Sequence, residues 1–201
     1  MTVWKSLLGA AVFVIGSTAQ ASALEPMIDS FHLTDLLESQ QVKVLEVRSD
    51  EKAYFASHIP GSVYIPYGEF RGPEATPGQL PELKQLAKSL GARGIDTLDS
   101  VVIVHDGVTT TDFGAAARVY WMLKSVGFES LAILNGGFRG YQKDGFELAS
   151  GWTALEPANP QLVFNASWYA TSTEVAKQVA GQGNARLLDA RLDAFYAGEA
   201  W

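Results

Sequence analysis

The sequence predicts an α/β fold: a mostly parallel sheet flanked by helices on both faces, followed by an incomplete second repeat of the same unit. Three observations lead there. Short aliphatic, β-branched runs at 42–47, 101–104 and 131–134 lack the polar alternation of a half-exposed strand, so they suit strands covered on both faces. These runs alternate with stretches of helical spacing, the order that gives parallel strands and crossover helices. Finally, Val44-Leu45-Glu46-Val47-Arg48-Ser49-Asp50 is echoed 143 positions later by Leu187-Leu188-Asp189-Ala190-Arg191-Leu192-Asp193.

In chain order, His32 to Ser39 reads as a short helix with Ser30 or Thr34 as N-cap. Val42 to Val47 is a buried strand, and Asp50 to Ala56 is one or two helical turns. Ile59-Pro60-Gly61 signals a turn into a short strand at Ser62 to Ile65. Arg71 to Leu80, with two prolines and two glycines, is a loop. Leu83, Leu86, Ala87 and Leu90 recur at helical spacing, with Gly91 as the expected stop. Val101 to Val104 is the strongest strand, four β-branched residues in a row. Asp106 to Asp112 is polar, Phe113 to Val126 is helical, and Gly127 ends that helix. Leu131 to Leu134 is a further strand, turned by Gly136-Gly137 into a helix from Phe138 to Asp144.

Residues 24–148 are thus expected to form one domain, 149–168 a linker containing Gly151, Pro157 and Pro160, and 169–201 the truncated start of a second domain. In that second copy Ser172 to Val179 should be helical and Arg186 to Ala190 a strand. Residues 1–23 have the pattern of a secretory signal peptide: Lys5, an apolar run from Leu7 to Ile15, and a small-residue site at Ala21-Ser22-Ala23. The run is shorter than the roughly 18 residues of a membrane span. The expected location is therefore periplasmic or secreted, with cleavage after Ala23 and no membrane association afterwards.

Composition narrows function by exclusion. The formal net charge is −7, against a nucleic-acid partner, because phosphate binding needs clustered Lys and Arg. A small anion can still bind an acidic protein through a local nest of N–H groups. With no cysteine, disulfides, thiolate metal sites and thiol nucleophiles are ruled out. The three histidines, His32, His58 and His105, sit on unrelated segments without metal-ligand spacing, so no metal and no cofactor are expected.

Four motifs in order carry a resemblance. They are Val44-Leu45-Glu46-Val47-Arg48 followed by Ser57-His58-Ile59-Pro60-Gly61-Ser62; the strand Val101-Val102-Ile103-Val104-His105-Asp106; Ala116-Ala117-Arg118-Val119-Tyr120-Trp121-Met122-Leu123 with Gly127-Phe128; and Leu134-Asn135-Gly136-Gly137-Phe138. Together they resemble the rhodanese-like domain of two-domain thiosulfate or 3-mercaptopyruvate sulfurtransferases. The resemblance covers the leading domain from about Asp29 to Leu148, and the opening of the trailing one.

The resemblance implies transfer of a sulfane sulfur to a thiophilic acceptor such as cyanide, carried as a cysteine persulfide. That chemistry needs a thiolate between a strand end and a helix N-terminus, where N–H groups and the helix dipole stabilise the anion. Here that slot holds Asp106, which has no sulfur. In such proteins the leading domain lacks the cysteine and walls the cleft, while the trailing domain carries it. At the repeat offset, the second slot would fall near position ~249, beyond Trp201. This chain alone is therefore expected to be inactive, and to meet a small sulfur-containing anion only with a full second domain.

Read as residues, Asp106 would accept hydrogen bonds from the N–H groups meant for the thiolate, as a built-in anion or N-cap. Arg48, Asp106, Gly107, Thr109, Thr110 and Thr111 form the candidate anion-binding or cleft set. Arg48 could instead bridge Glu46 or Asp50, and a threonine or Asp112 could simply cap the following helix. His58 reads as a hydrogen-bonded turn residue, Tyr120 and Trp121 as core or interface aromatics. Two other functions remain: a cysteine-free module binding an anion or a protein in the periplasm, and a hydrolase or phosphatase using Asp106. The latter needs a phosphate loop or a metal site, and the sequence displays neither.

Overall fold

The structure, a computed structural model, describes residues 23–199, so the expected leader lies outside it but for Ala23. Five parallel strands form one sheet in the order β1-β5-β4-β2-β3. The three central strands are β2 (Lys43–Glu46), β4 (Val101–Val104) and β5 (Leu131–Leu134). The edges are β1 (Met27–Ile28) and β3 (Val63–Tyr64), two residues each. Leu45 lies beside Ile103, and Ile103 beside Ile133.

The unbroken apolar runs of β4 and β5, and the Val44-Leu45 centre of β2, exist because each central strand feeds two cores. Leu45, Ile103, Leu131 and Ile133 face one side, where they meet α3 (Leu83–Ala92) through Leu86 and Leu90, and α4 (Thr110–Ser125) through Ala116, Val119 and Leu123. Val44, Val102, Val104 and Leu134 face the other, against Leu33 of α1 (Ser30–Glu38) and Phe138 and Tyr141 of α5 (Gly137–Lys143). Burying each such aliphatic side chain contributes roughly 1.5–3 kcal/mol, enough to override the weak pairing of four-residue strands. The remaining helix before β3 is α2 (Glu51–Ala56), anchored by the fully buried Tyr54.

Local chemistry moved several boundaries. The first helix is capped by Asp29, whose carboxylate accepts from His32 N–H at 2.8 Å, and not by Ser30 or Thr34; the Thr34 hydroxyl bonds back to the Ser30 carbonyl. Gly91 does not end its helix. It lies within α3, where a Cβ would come within 2.5 Å of the Ala158 carbonyl, and Gly94 at φ +71° supplies the turn beyond the helix. Gly91 thus marks where residues 149–168 cross the domain. That segment is well anchored: Ala149 bridges His58, Ala158 N–H donates to Gly91, and Leu155, Leu162 and Phe164 pack on the core.

Among the described residues from 169 to 199, the helices formed are α6 (Ser172–Val179) and α7 (Asp193–Tyr196). The expected strand at Arg186 to Ala190 is absent: the segment is extended but unpaired, with Leu187 and Leu188 exposed. Its counterpart β2 is held between β3 and β4, and residues 186–190 have no neighbouring strand to receive their backbone groups.

Candidate functional site

Open parallel sheets bind ligands at the carboxyl ends of strands where the strand order reverses direction. Here that point lies between β2 and β4. A cavity of about 580 Å³ opens there, walled by Val47, Arg48 and Ser49 after β2, Tyr64 and Pro66 to Gly68 near β3, His105 and Asp106 after β4, and the first turns of α4.

Arg48 organises the floor. Its side chain is 6% exposed, with the guanidinium 3.8 Å from the centre of the Phe138 ring. Nη1 donates to Glu46 at 3.2 Å and to the Ser57 carbonyl at 2.7 Å, and Nε donates to Asp106 Oδ1 at 3.3 Å. Of the two partners read from sequence, Glu46 is used; Asp50 instead caps α2 by accepting from Lys52 N–H. Glu46 is fully buried and also accepts from Ile59 N–H and the Ser62 hydroxyl, both at 2.8 Å. Burial pushes its carboxyl above the usual range, although those two donors and Arg48 pull it down. The Ile-Pro-Gly turn is thus tied to β2 through one carboxylate.

Asp106 departs from expectation in its partners. Its carboxylate turns to the end of β2, accepting from Arg48 and, at 2.8 Å on Oδ2, from Ser49 N–H. It caps no helix. The N–H groups of its own loop are satisfied elsewhere: Val108 and Thr109 N–H donate to Asp112 Oδ2 at 2.9 and 2.7 Å, and Gly107 N–H to His105 Nδ1 at 3.1 Å. Thr109 is the N-cap of α4 and forms a capping box with Asp112. Burial raises the Asp112 carboxyl, but the Thr109 and Val108 donors and the neighbouring His105 outweigh it and hold it below the ordinary range.

Of the candidate set, Arg48, Asp106 and Thr111 line the cavity, whereas Gly107, Thr109 and Thr110 do not. Gly107 has a packing role: at φ +81°, a Cβ would lie 2.0 Å from the Gly136 carbonyl. The loop after β4 therefore rests against the glycine turn, and α5 donates its Phe138 and Arg139 N–H groups to the carbonyls of His105 and Asp106. His58 is the expected turn residue, with Nδ1 3.1 Å from the Tyr54 carbonyl, Nε2 3.3 Å from Thr153 and the ring stacked on Tyr54.

Sequence reasoning missed Ser49, Tyr64, Tyr67 and His105 as parts of the site. Ser49 acts through its backbone N–H, which no side-chain pattern reveals. His105 is 5% exposed, and burial lowers its imidazole while Asp112, Asp106 and the Leu134 carbonyl oppose that. Its Nε2 is buried without a partner in hydrogen-bond geometry. Since Nδ1 accepts from Gly107, that leaves an Nε2–H donor on a neutral ring.

Residues 32–144 match the family described as rhodanese-like domain. The chain belongs to that family. It is 32% identical over 155 residues to the thiosulfate sulfurtransferase of Bos taurus, covering 75% of this chain and 50% of that protein. With the 3-mercaptopyruvate sulfurtransferase of Escherichia coli K12 it shares 26% identity over 147 residues, covering 73% and 50%. The chain thus spans about half the length of these curated relatives. In fold it is similar to the crystal structure of SseA from Escherichia coli, described as a 3-mercaptopyruvate sulfotransferase. The TM-score is 0.69 at 22% identity, covering 87% of this chain and 68% of that one. The rhodanese-like fold with its parallel sheet is therefore that of this chain.

Proposed function

We propose that this chain is the cysteine-free leading half of a rhodanese-like sulfurtransferase that takes its sulfur from a small donor of the thiosulfate or 3-mercaptopyruvate class. The observation that carries this reading is Asp106 in the loop after β4, the slot where the family's chemistry needs a thiolate. A carboxylate cannot hold a persulfide, so this half shapes a cleft and a second domain supplies the nucleophile. Residues 169–201 read as the opening of that domain. In support, α6 and α7 each begin 142 residues after α1 and α2, within one residue of the sequence repeat.

The test is an assay of sulfur transfer from thiosulfate to cyanide with the purified chain. No turnover above the blank is expected. Turnover that survives Asp106→Ala would place the chemistry elsewhere, and stoichiometric phosphate incorporation at Asp106 would favour phosphoryl transfer. We also propose that the protein is exported, on the strength of Lys5, the apolar run to Ile15 and Ala21-Ser22-Ala23. N-terminal sequencing of protein expressed in a Gram-negative host should then begin at Leu24; recovery of an intact Met1 terminus rejects export.

A further inference from the structure

The cation and donors in and beside this cavity that could receive an oxyanion are already occupied by carboxylates of the chain itself. Arg48 Nε and Ser49 N–H converge on one side chain, Asp106, at 3.3 and 2.8 Å. The Val108 and Thr109 N–H groups converge on Asp112. Arg48 is fixed from behind by Glu46, the Ser57 carbonyl and the Phe138 ring, so its Nε edge stays in place whatever it faces. A buried guanidinium edge beside a backbone N–H is the geometry that binds a carboxylate or a tetrahedral oxyanion. The cavity walls bring Asp106 and Asp112 against Arg48 as the single cationic residue among the lining groups.

We infer that Asp106 is a tethered occupant of an oxyanion site made by Arg48 and Ser49, and that it excludes sulfur oxyanions from this domain's cavity. The tethered carboxylate competes as an intramolecular ligand, without the association entropy cost that a free anion meets. It also opposes any approaching anion by its charge. Asp106 is thereby a specificity-determining residue: it leaves binding of a donor anion to whatever faces this cavity.

The experiment titrates the purified chain with sulfate and with thiosulfate, followed by calorimetry and by amide NMR shifts at Ser49. The natural chain should show no saturable binding. Asp106→Ala should bind both anions at least about tenfold more tightly, the scale of one or two charge-assisted hydrogen bonds. Arg48→Met in the Asp106→Ala background should abolish the gain. If Asp106→Ala does not fold, Asp106→Asn removes the charge at constant shape and should give a smaller gain in the same direction. Equal binding by the natural chain and a folded variant overturns the inference, as does a gain that persists without Arg48. These readouts report binding and not turnover, so their failure is distinguishable from failure of the sulfurtransferase reading.

Discussion

Asp112 shows how a single carboxylate can be committed to structure within a site. It receives the Val108 and Thr109 N–H groups and the Thr109 hydroxyl, and the Thr109 oxygen in turn takes the Asp112 N–H. Replacing it by alanine frees those donors and should cost about 1 kcal/mol, as for other lost helix caps. The sign of the pH dependence follows from its lowered folded pKa. Its contribution is fully present above the ordinary aspartate value of 3.8 and is lost as pH falls through the lower folded value. Urea denaturation at pH 7 should therefore separate the natural chain from Asp112→Ala, and the gap should narrow below about pH 4. A gap that widens in acid would contradict the capping geometry. Glu46 has the opposite character. Burial raises its carboxyl, and the Ile59 N–H, the Ser62 hydroxyl and Arg48 pull it back down.

At the scale of elements, identical residue types behave differently according to what stands beside them. Leu45 is buried within β2, while its counterpart Leu188 is 84% exposed. The Glu46–Arg48 pair sits at 0% and 6% side-chain exposure, while Asp189–Arg191 makes a bidentate pair at the surface. The Arg191 hydrogen bonds pull the Asp189 carboxyl down to about 2, yet at a solvated surface such a pair adds little stability. No residue from 161 to 199 is buried. Deleting residues after Ala170, which retains the Trp121 bond to the Trp168 carbonyl, should leave the urea midpoint of the first domain unchanged within error. A clear drop would show that α6 or α7 supports that domain. The loop after β4 has the reverse dependence: a Cβ on Gly107 would run into the Gly136 carbonyl, and one on Gly137 into the His105 carbonyl and the Gly107 backbone, so the two turns approach too closely for a side chain at either position.

At the scale of the molecule, the sheet opens a cavity at the carboxyl ends of β2 and β4, where the strand order reverses, and lines it with the Asp106 carboxylate. Much of this was legible in the sequence. Val101 to Val104 could only be a strand covered on both faces, since four consecutive β-branched residues leave no polar side for water. The absence of cysteine followed from residue identity alone. The two-residue edge strands were blurred or missed because they exist only by pairing with a neighbour: Met27 and Ile28 have no pattern of their own and are strand only beside β5.

Residue order thus determined the layered fold, the family and the absence of any thiol, because apolar periodicity and side-chain chemistry are local properties. Tertiary structure alone decided which donors Asp106 takes. That choice depends on Arg48 and Ser49, 58 and 57 residues away in sequence, being brought to the same sheet edge by the pairing of β2 with β4. The same physics left 186–190 unpaired: the strand pattern is local, and the partners that would make it a strand are not.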